Sequence, residues 1–310
     1  MLLSRQGWAD TLIELGEKDP RIVVLDADLA KSTLTCQFKD KFPKRFFDMG
    51  IAEQNMVNVA GGLSLTGLIP FVTTYGVFVS GRAWEQIRTS ICYGNLNVKF
   101  GGAHGGISVG PDGATHQALE EITIMRVLPG MTVIVPADFY ETKKAVRAAV
   151  EINGPVYIRF GREKTPVVTT SETPFVVGKA ITMKEGKDVS IIACGPMVAE
   201  ALDAAEELDK KGISAEVVNL HTIKPIDKEA LVATAKKTGC VVTAEEHQLA
   251  GGMGSAVAEV LAQNFPVPME MVGINDTFGE SGQPRELMEK YGITSKQIFE
   301  KALKVIERKK

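Results

Sequence analysis

Short apolar segments alternate with longer helical patterns along almost the whole chain, and this alternation constrains the fold more than any other feature. In the first half, the apolar segments lie at residues 22–25, 69–73, 96–100, 132–135 and 156–159. The segments between them have helical periodicity. Strands that alternate with helices of this length are typical of a parallel α/β sheet.

The chain divides into two such α/β units. In the first, helices are predicted at 4–16, after Glu53, and at 83–93, 116–128 and 139–152. In the second, strands are predicted at 189–193, 215–219, 241–244 and 269–272, and helices at 197–210, 228–236 and 254–263. We therefore predict domains at 1–165 and 188–310, each with a mostly parallel sheet flanked by helices. A linker at 166–187, with one short strand, joins them.

Composition excludes several classes of function. The chain has 310 residues, 45% of them hydrophobic, which is enough for two buried cores. A formal net charge of −3 and few aromatic residues give no reason to expect nucleic-acid binding. The four cysteines form no CxxC pair, which fits reduced thiols better than disulfides or a zinc site. No signal peptide is visible at the N-terminus, so the expected location is the cytoplasm.

One segment, residues 54–81, contains no charged residue and must be weighed as a membrane span. Glycines, threonines and Pro70 interrupt it. These residues divide it into a helix and a buried strand around residues 69–73, so we expect no membrane span.

Glu53 stands directly before this uncharged segment, within residues 51–57. A carboxyl group at the edge of low-dielectric protein is suited to exchange a proton with a nitrogen heterocycle. The alternative is that Glu53 is an ordinary acidic residue in the first turn of a helix, where the macrodipole favours it.

A glycine-rich segment at 101–117 directly follows a predicted strand, where α/β sheets carry their ligand loops. Its glycines let the backbone approach a ligand closely, while His104, Asp112 and His116 supply donors, acceptors and protons. The alternative takes Asp112 as a residue near a helix N-cap and His116 as a residue of the first turn.

Further candidates lie near the ends of predicted strands. The rings of Tyr75 and Phe78 could stack on a flat heterocycle, although such rings are often core residues. Guanidinium groups and a hydroxyl suit a phosphate, although exposed arginines are usually only solvated. These residues are Arg5, Arg159, Arg162 and Ser32.

Four segments together resemble the C-terminal half of a transketolase, which is the pyrimidine-binding domain followed by the C-terminal domain. They are IAEQNMV at 51–57, PFVTTYGVFVSGRAWEQIR at 70–88, GGAHGGISVGPDGATHQALEEI at 101–122 and LPGMTVIVPAD at 128–138.

The resemblance implies roles in binding thiamine diphosphate. In that family a glutamate bonds the aminopyrimidine and drives it to the imino tautomer, which deprotonates the thiazolium carbon. This role falls on Glu53. The stacking aromatic residues fall on Phe78 and Tyr75, and the aspartate near the thiazolium falls on Asp28.

The resemblance also implies a substrate site. Asp112 is expected at the hydroxyl groups of the donor sugar, and His116 near the cofactor amine and the reacting oxygens. Some family members carry glutamine in place of His116. The residues expected at the acceptor phosphate are Arg5, Ser32, His104 and Arg162.

Full-length transketolases also carry a diphosphate-binding domain with a Gly-Asp-Gly…Asn metal motif, and the sequence contains no Gly-Asp-Gly. The resemblance therefore implies one subunit of a split transketolase. A separate N-terminal subunit is expected to hold the diphosphate and Mg²⁺ or Ca²⁺. The expected assembly is a heterotetramer that contains a homodimer of this chain and acts on sugar phosphates.

Three alternatives stay open. The nearest is the β subunit of a 2-oxoacid dehydrogenase decarboxylase, against which the histidine-containing loop argues. Deoxyxylulose-phosphate synthase is a more distant possibility. From another class, the chain could be a non-catalytic assembly subunit that kept the fold.

Overall fold

The computed structural model describes residues 1–309 and places them in three β-sheets with the helices that cover them. The strands are β1 Leu2–Leu3, β2 Ile22–Asp26, β3 Phe46–Asp48, β4 Ile69–Tyr75, β5 Lys99–Ala103, β6 Thr132–Ile134, β7 Val156–Arg159, β8 Lys164–Thr165, β9 Ile181–Lys184, β10 Val189–Ala193, β11 Ala215–Asn219, β12 Thr222–Lys224, β13 Val241–Gln248 and β14 Met269–Ile274.

The α-helices are α1 Ser4–Lys18, α2 Ala30–Thr33, α3 Cys36–Lys41, α4 Glu53–Leu65, α5 Trp84–Gln86, α6 Glu121–Arg126, α7 Phe139–Glu151, α8 Met197–Asp209, α9 Lys228–Thr238, α10 Met253–Asn264, α11 Pro284–Lys290 and α12 Ser295–Glu307. Short 3₁₀ segments occur at Pro43–Arg45 and Ile107–Asp112, and π-helical turns at Phe78–Arg82 and Ile87–Cys92.

The first domain is built on a seven-stranded sheet in the order β12-β6-β7-β5-β4-β2-β3. Its strands are parallel except β12, which runs antiparallel to β6. Side chains alternate between the two faces of a strand. Val23 and Leu25 therefore pack with α4 on one face, while Ile22 and Val24 pack with α1 and α7 on the other. Because both faces are covered, the strands are continuously apolar in the sequence.

The second domain is built on a five-stranded sheet in the order β14-β13-β10-β11-β9, parallel except for β9 at one edge. Ile191 packs with α8 and α12 on one face, and Ile192 packs with α9 and α10 on the other. The predicted class, α/β with a mostly parallel sheet flanked by helices in each of two domains, is confirmed.

One strand agrees with the predicted domain plan and one departs from it. Strand β9 is the short strand expected inside the linker at 166–187, and it completes the second sheet. Strand β12 lies inside 188–310 but pairs with the first sheet, with Thr222 opposite Ile134. One apolar cluster also continues from the first domain into the second. The domains therefore share both a sheet and a core.

Two helix predictions were wrong in detail. The helix predicted at 116–128 begins only at Glu121, because the preceding backbone folds back and Gly106 N–H donates to Ala118 O at 2.8 Å. The helix predicted at 83–93 is the short α5 between two π-helical turns. No prediction covered α11 or α12.

The uncharged segment 54–81 forms most of α4 and the whole of β4, as predicted. No helix within residues 1–309 combines the length and apolarity that crossing a bilayer requires. All four cysteines are free. Cys92, Cys194 and Cys240 are buried, and Cys36 is half-buried.

Candidate active site

The residues predicted to form the site lie at one edge of the first sheet. Asp28 follows β2, Tyr75 ends β4, His104 follows β5 and Arg162 follows β7. These four strands are adjacent and parallel, so their carboxyl ends meet at the same edge. Ligands of open α/β sheets bind at this edge.

Glu53 is the first residue of α4, and only 1% of its surface is exposed. Arg82 Nη1 donates to its Oε2 at 2.8 Å. The described residues supply no hydrogen-bond donor to the second oxygen, Oε1. Arg82 was not among the predicted site residues, although it is the first charged residue after the uncharged segment. The π-helical turn Phe78–Arg82 brings its guanidinium back to the carboxylate.

Aromatic rings pack next to this ion pair. The Arg82 guanidinium carbon lies 4.7 Å from the centre of the Phe78 ring. The Phe78 and Tyr75 rings are nearly parallel, with centroids 5.8 Å apart. Tyr75 stacks on His104 at 4.0 Å, and His116 meets Phe78 edge-on at 5.4 Å. Five side chains thus form one cluster that reaches Glu53, namely Arg82, Phe78, Tyr75, His104 and His116.

His104 is held in a position that favours its neutral form. Its backbone has a positive φ of 57°, and its side chain is buried. Burial, followed by the charges of Arg5, Arg162 and His116, lowers its pKa to about 3. Within residues 1–309 its Nδ1 atom has no hydrogen-bond partner. His104 therefore offers a neutral ring nitrogen to a ligand.

Arg162 pairs with Asp112, with 3.0 Å between Nη1 and Oδ1, and also donates to Val109 O at 3.0 Å. The resemblance implied separate partners for these two residues, a phosphate for Arg162 and sugar hydroxyls for Asp112. Burial and the neighbouring Arg162 lower the pKa of Arg5. The two guanidinium groups therefore lie close enough to repel each other, which is typical of an anion site.

Ser32 contacts Arg5 through its backbone, because Arg5 Nη1 donates to Ser32 O at 2.8 Å, and this bond does not involve the Ser32 hydroxyl. Asp28 is exposed, has a positive φ of 61°, and its N–H is bonded to Asp48 Oδ1 at 3.2 Å. The structure places Asp28 at the site edge but gives it no hydrogen bond to the ring cluster.

The buried Asp26 beneath this loop was not among the predicted site residues. It accepts hydrogen bonds from Leu29 N at 2.6 Å, Thr33 Oγ1 at 3.0 Å and Thr35 Oγ1 at 2.9 Å. Burial raises its pKa to about 6 despite these bonds. Asp26 thus fixes the loop that carries Asp28. Its sequence signal is an aspartate at the end of an otherwise apolar strand.

Arg159 does not face the site. It is buried, and its Nε donates to Glu121 Oε1 at 2.7 Å while its Nη2 donates to Glu246 O at 2.9 Å. Arg159 is therefore a structural residue between the two domains. Within residues 1–309 no group of three or more His, Cys, Asp or Glu side chains could hold a metal ion.

This geometry defines a two-domain α/β protein with a buried carboxyl group, stacked rings and neighbouring guanidinium groups at one sheet edge. Residues 2–167 match the family model of the transketolase pyrimidine binding domain, and residues 178–298 match that of the transketolase C-terminal domain. The chain belongs to the transketolase family. The resemblance drawn from the four sequence segments is confirmed.

Relatives support the same assignment. The chain is 47% identical over 307 residues to a putative transketolase C-terminal section from Methanocaldococcus jannaschii. The matched residues make up 98% of this chain and 96% of that protein. It is 46% identical over 305 residues to a 6-deoxy-6-sulfo-D-fructose transketolase subunit from Clostridium sp., covering 98% and 95%. A solved split-gene transketolase, described as an inactive beta4 tetramer, is 52% identical with a TM-score of 0.94 over the full length of both chains.

Proposed function

We propose that this chain is the C-terminal subunit of a split transketolase that transfers a two-carbon ketol unit from a ketose phosphate to an aldose phosphate. The observation that carries the proposal is the continuous cluster from the buried Glu53, through Arg82, to the stacked rings beside His104 and His116. A carboxyl, flat rings and imidazoles in contact are the groups that a thiamine-dependent reaction needs from this half of the enzyme.

The side chains fit thiamine diphosphate. Glu53 has one oxygen occupied by Arg82 and one available to a ring nitrogen. Phe78 is half-exposed and offers a ring for stacking. Tyr75 supports that ring, His116 lies beside it, and Asp28 approaches from the neighbouring strand end.

When bound, thiamine diphosphate supplies the electron sink that allows a carbon–carbon bond beside a carbonyl to break. Glu53 would hold the aminopyrimidine and exchange a proton with it, and Arg82 keeps the carboxylate oriented for that role. Burial of Glu53 excludes water from the exchanging proton. His116, whose Nδ1 lies 2.9 Å from Thr115 Oγ1, is held so that its other nitrogen can serve the reacting oxygens.

The proposed substrate contacts follow from the charged residues at the edge of the first sheet. Arg5 and Arg162 bind the acceptor phosphate, with Ser32 and the neutral His104 as additional hydrogen-bonding groups. Asp112 binds hydroxyl groups of the donor. Because Asp112 pairs with Arg162 at 3.0 Å, the hydroxyl and phosphate sites are coupled through one ion pair.

The partner is a separate N-terminal subunit that holds the diphosphate and Mg²⁺ or Ca²⁺. The descriptions of the relatives as a C-terminal section, a transketolase subunit and a split-gene transketolase support this arrangement. A homodimer of this chain within a heterotetramer completes the assembly. The histidine loop favours a sugar phosphate over the small oxoacid handled by a 2-oxoacid dehydrogenase β subunit.

The test is reconstitution. The purified chain alone should fold, yet neither bind thiamine diphosphate with micromolar affinity by titration calorimetry nor transfer a ketol unit, because the metal and diphosphate contribute much of the binding energy. A co-purified subunit of similar size with a Gly-Asp-Gly…Asn motif should restore both. Micromolar binding or turnover by the chain alone would contradict the split-subunit proposal.

The same complex tests Glu53. Glu53→Gln keeps the shape and the bond from Arg82 but cannot relay a proton, so ketol transfer should fall about 10² to 10⁴-fold while assembly persists. Exchange of the thiazolium carbon-bound proton, followed by NMR, should slow in parallel. Wild-type exchange in the variant would remove Glu53 from the mechanism.

A further inference from the structure

The C-terminal domain makes polar contacts with the first domain at several places, such as the bonds from Asn219 to Glu141 and from Lys224 to Leu128 O. One further place is the substrate loop, defined here as residues 104–117. Three of the candidate substrate residues, His104, Asp112 and His116, lie in this loop. Its backbone bends through positive φ angles at Gly106, Gly110 and Gly113. Such a glycine-rich backbone has little preference of its own for one conformation, so other parts of the molecule must fix it.

Glu246, on β13 of the second domain, holds the middle of the loop. Its Oε1 accepts a hydrogen bond from Ser108 N at 2.6 Å, across 138 residues of sequence. The loop also packs directly on the carboxylate, because a Cβ added at Gly106 would lie 2.2 Å from Glu246 Cδ. Ser108 lies midway between His104 and Asp112, so this bond controls the path of the backbone between them.

The Glu246 side chain is itself fixed. It is 1% exposed, and its Oε2 lies 3.5 Å from Arg159 Nη2. Arg159 is anchored in turn by Glu121 at 2.7 Å. A carboxylate with a buried cation beside it has little freedom to move, which makes it a rigid acceptor for the loop N–H.

Gln117 fastens the end of the loop. Its Nε2 lies 3.2 Å from Ile107 O, 3.4 Å from Gly110 O and 2.9 Å from Glu280 O. The first two contacts close the loop on itself, and the third ties it to the second domain. The segment around Ser281 lies against the loop so closely that a Cβ at Gly113 would come within 2.6 Å of its hydroxyl.

We propose that the C-terminal domain sets the conformation of the substrate loop, with Glu246 and Gln117 as positioning residues for His104 and Asp112. The proposal rests on the proposed function, since it assigns these two residues a substrate to meet. General packing between domains would not require bonds directed at the loop backbone between two substrate residues.

Glu245 provides a matched control. It is adjacent to Glu246 and equally buried, at 1% exposure. It also accepts two backbone N–H groups, from Met253 at 2.6 Å and Gly254 at 2.8 Å. These bonds go to the start of α10 rather than to the loop. Comparing Glu245→Ala with Glu246→Ala therefore separates loss of a buried carboxylate from loss of loop positioning.

The first readout is hydrogen–deuterium exchange of peptides from residues 104–117 in the purified chain, which needs neither cofactor nor activity. Glu246→Ala should accelerate this exchange about 10- to 100-fold, the factor expected for one lost charge-assisted bond. Glu246→Gln should restore protection, because its amide oxygen can still accept from Ser108 N. Glu245→Ala should leave the loop peptides at the wild-type rate.

The second readout uses the enzyme reconstituted with its N-terminal subunit. Glu246→Ala should raise KM for the donor ketose phosphate about tenfold and change kcat and thiamine diphosphate affinity much less. Gln117→Met, which keeps the volume but loses the donor, should act in the same direction and serves if Glu246→Ala does not fold.

Equal effects of Glu245→Ala and Glu246→Ala on loop exchange, or an unchanged KM in a variant whose loop exchanges faster, would overturn the proposal. Absence of ketol transfer by the reconstituted wild type would instead contradict the proposed function. The exchange data are independent of that result.

Discussion

The ion pair between Arg82 and Glu53 allows the site to be tested through stability, before any partner is available. Arg82→Met removes the guanidinium but keeps an apolar side chain of similar length. It breaks the 2.8 Å bond to the buried carboxylate and the contact of the cation with the Phe78 ring. We expect the free energy of unfolding to fall.

The magnitude follows from unequal exposure of the two side chains. Glu53 is 1% exposed, whereas Arg82 is 45% exposed. Fully exposed pairs contribute about 0.2 to 1 kcal/mol, and breaking a fully buried pair costs about 3 to 5 kcal/mol. One charge-assisted bond is worth about 1.5 to 3 kcal/mol. Since solvent screens the guanidinium, we expect a coupling energy of about 1 to 3 kcal/mol.

The assay is a double-mutant cycle measured by urea unfolding of the chain alone, at one protomer concentration because association shifts apparent stability. The cycle contains Arg82→Met, Glu53→Gln and the double variant. Arg88→Met is the control, since Arg88 is exposed in the following helical turn and forms no ion pair within residues 1–309. A coupling below about 0.5 kcal/mol, or an equal loss in Arg88→Met, would refute the reasoning.

Two further predictions concern charge at the sheet edge. Arg162→Ala should raise KM for a phosphorylated acceptor by about one to two decades and leave an unphosphorylated analogue unaffected, because one charge-assisted bond to phosphate is lost; equal weakening of both acceptors would exclude Arg162 as a phosphate ligand. Asp26 has a pKa of about 6 in the folded chain, against an ordinary value of 3.8. Between these values the folded state binds a proton that the unfolded state has lost. The free energy of unfolding therefore falls as pH rises from about 4 to 7. Urea unfolding across this range should show wild type losing at most about 3 kcal/mol relative to Asp26→Asn, and a pH-independent difference would contradict the raised pKa.

The sheets could be predicted because their signal is local. Strands buried on both faces are continuously apolar, and β10 and β11 occupy the residues predicted for them. The edge strand β12 could not be found this way. It is three residues long, and its partner β6 lies almost ninety residues earlier in the sequence. Pairing over such a separation is determined by how the domains dock.

The candidate site could likewise be predicted only where its signal is local in the sequence. Residues such as Tyr75 and His104 could be proposed because they directly follow strands whose carboxyl ends share an edge. The contacts between these residues could not be predicted from the sequence. Arg82 reaches Glu53 through a π-helical turn. Residues 116–120 stay out of the helix, where Ala118 O accepts from Gly106 N and Gln117 is bonded to Glu280 in the other domain. Local periodicity contains neither constraint.

Strand β12, which follows the second domain's β11 in sequence but pairs with the first sheet, affects how the chain unfolds. An unpaired strand edge is a template for association with other chains, and β12 covers the edge of β6. Separating the two domains would expose that edge and divide their common apolar cluster. The halves are therefore expected to lose structure in a single cooperative transition rather than as two independent folding units.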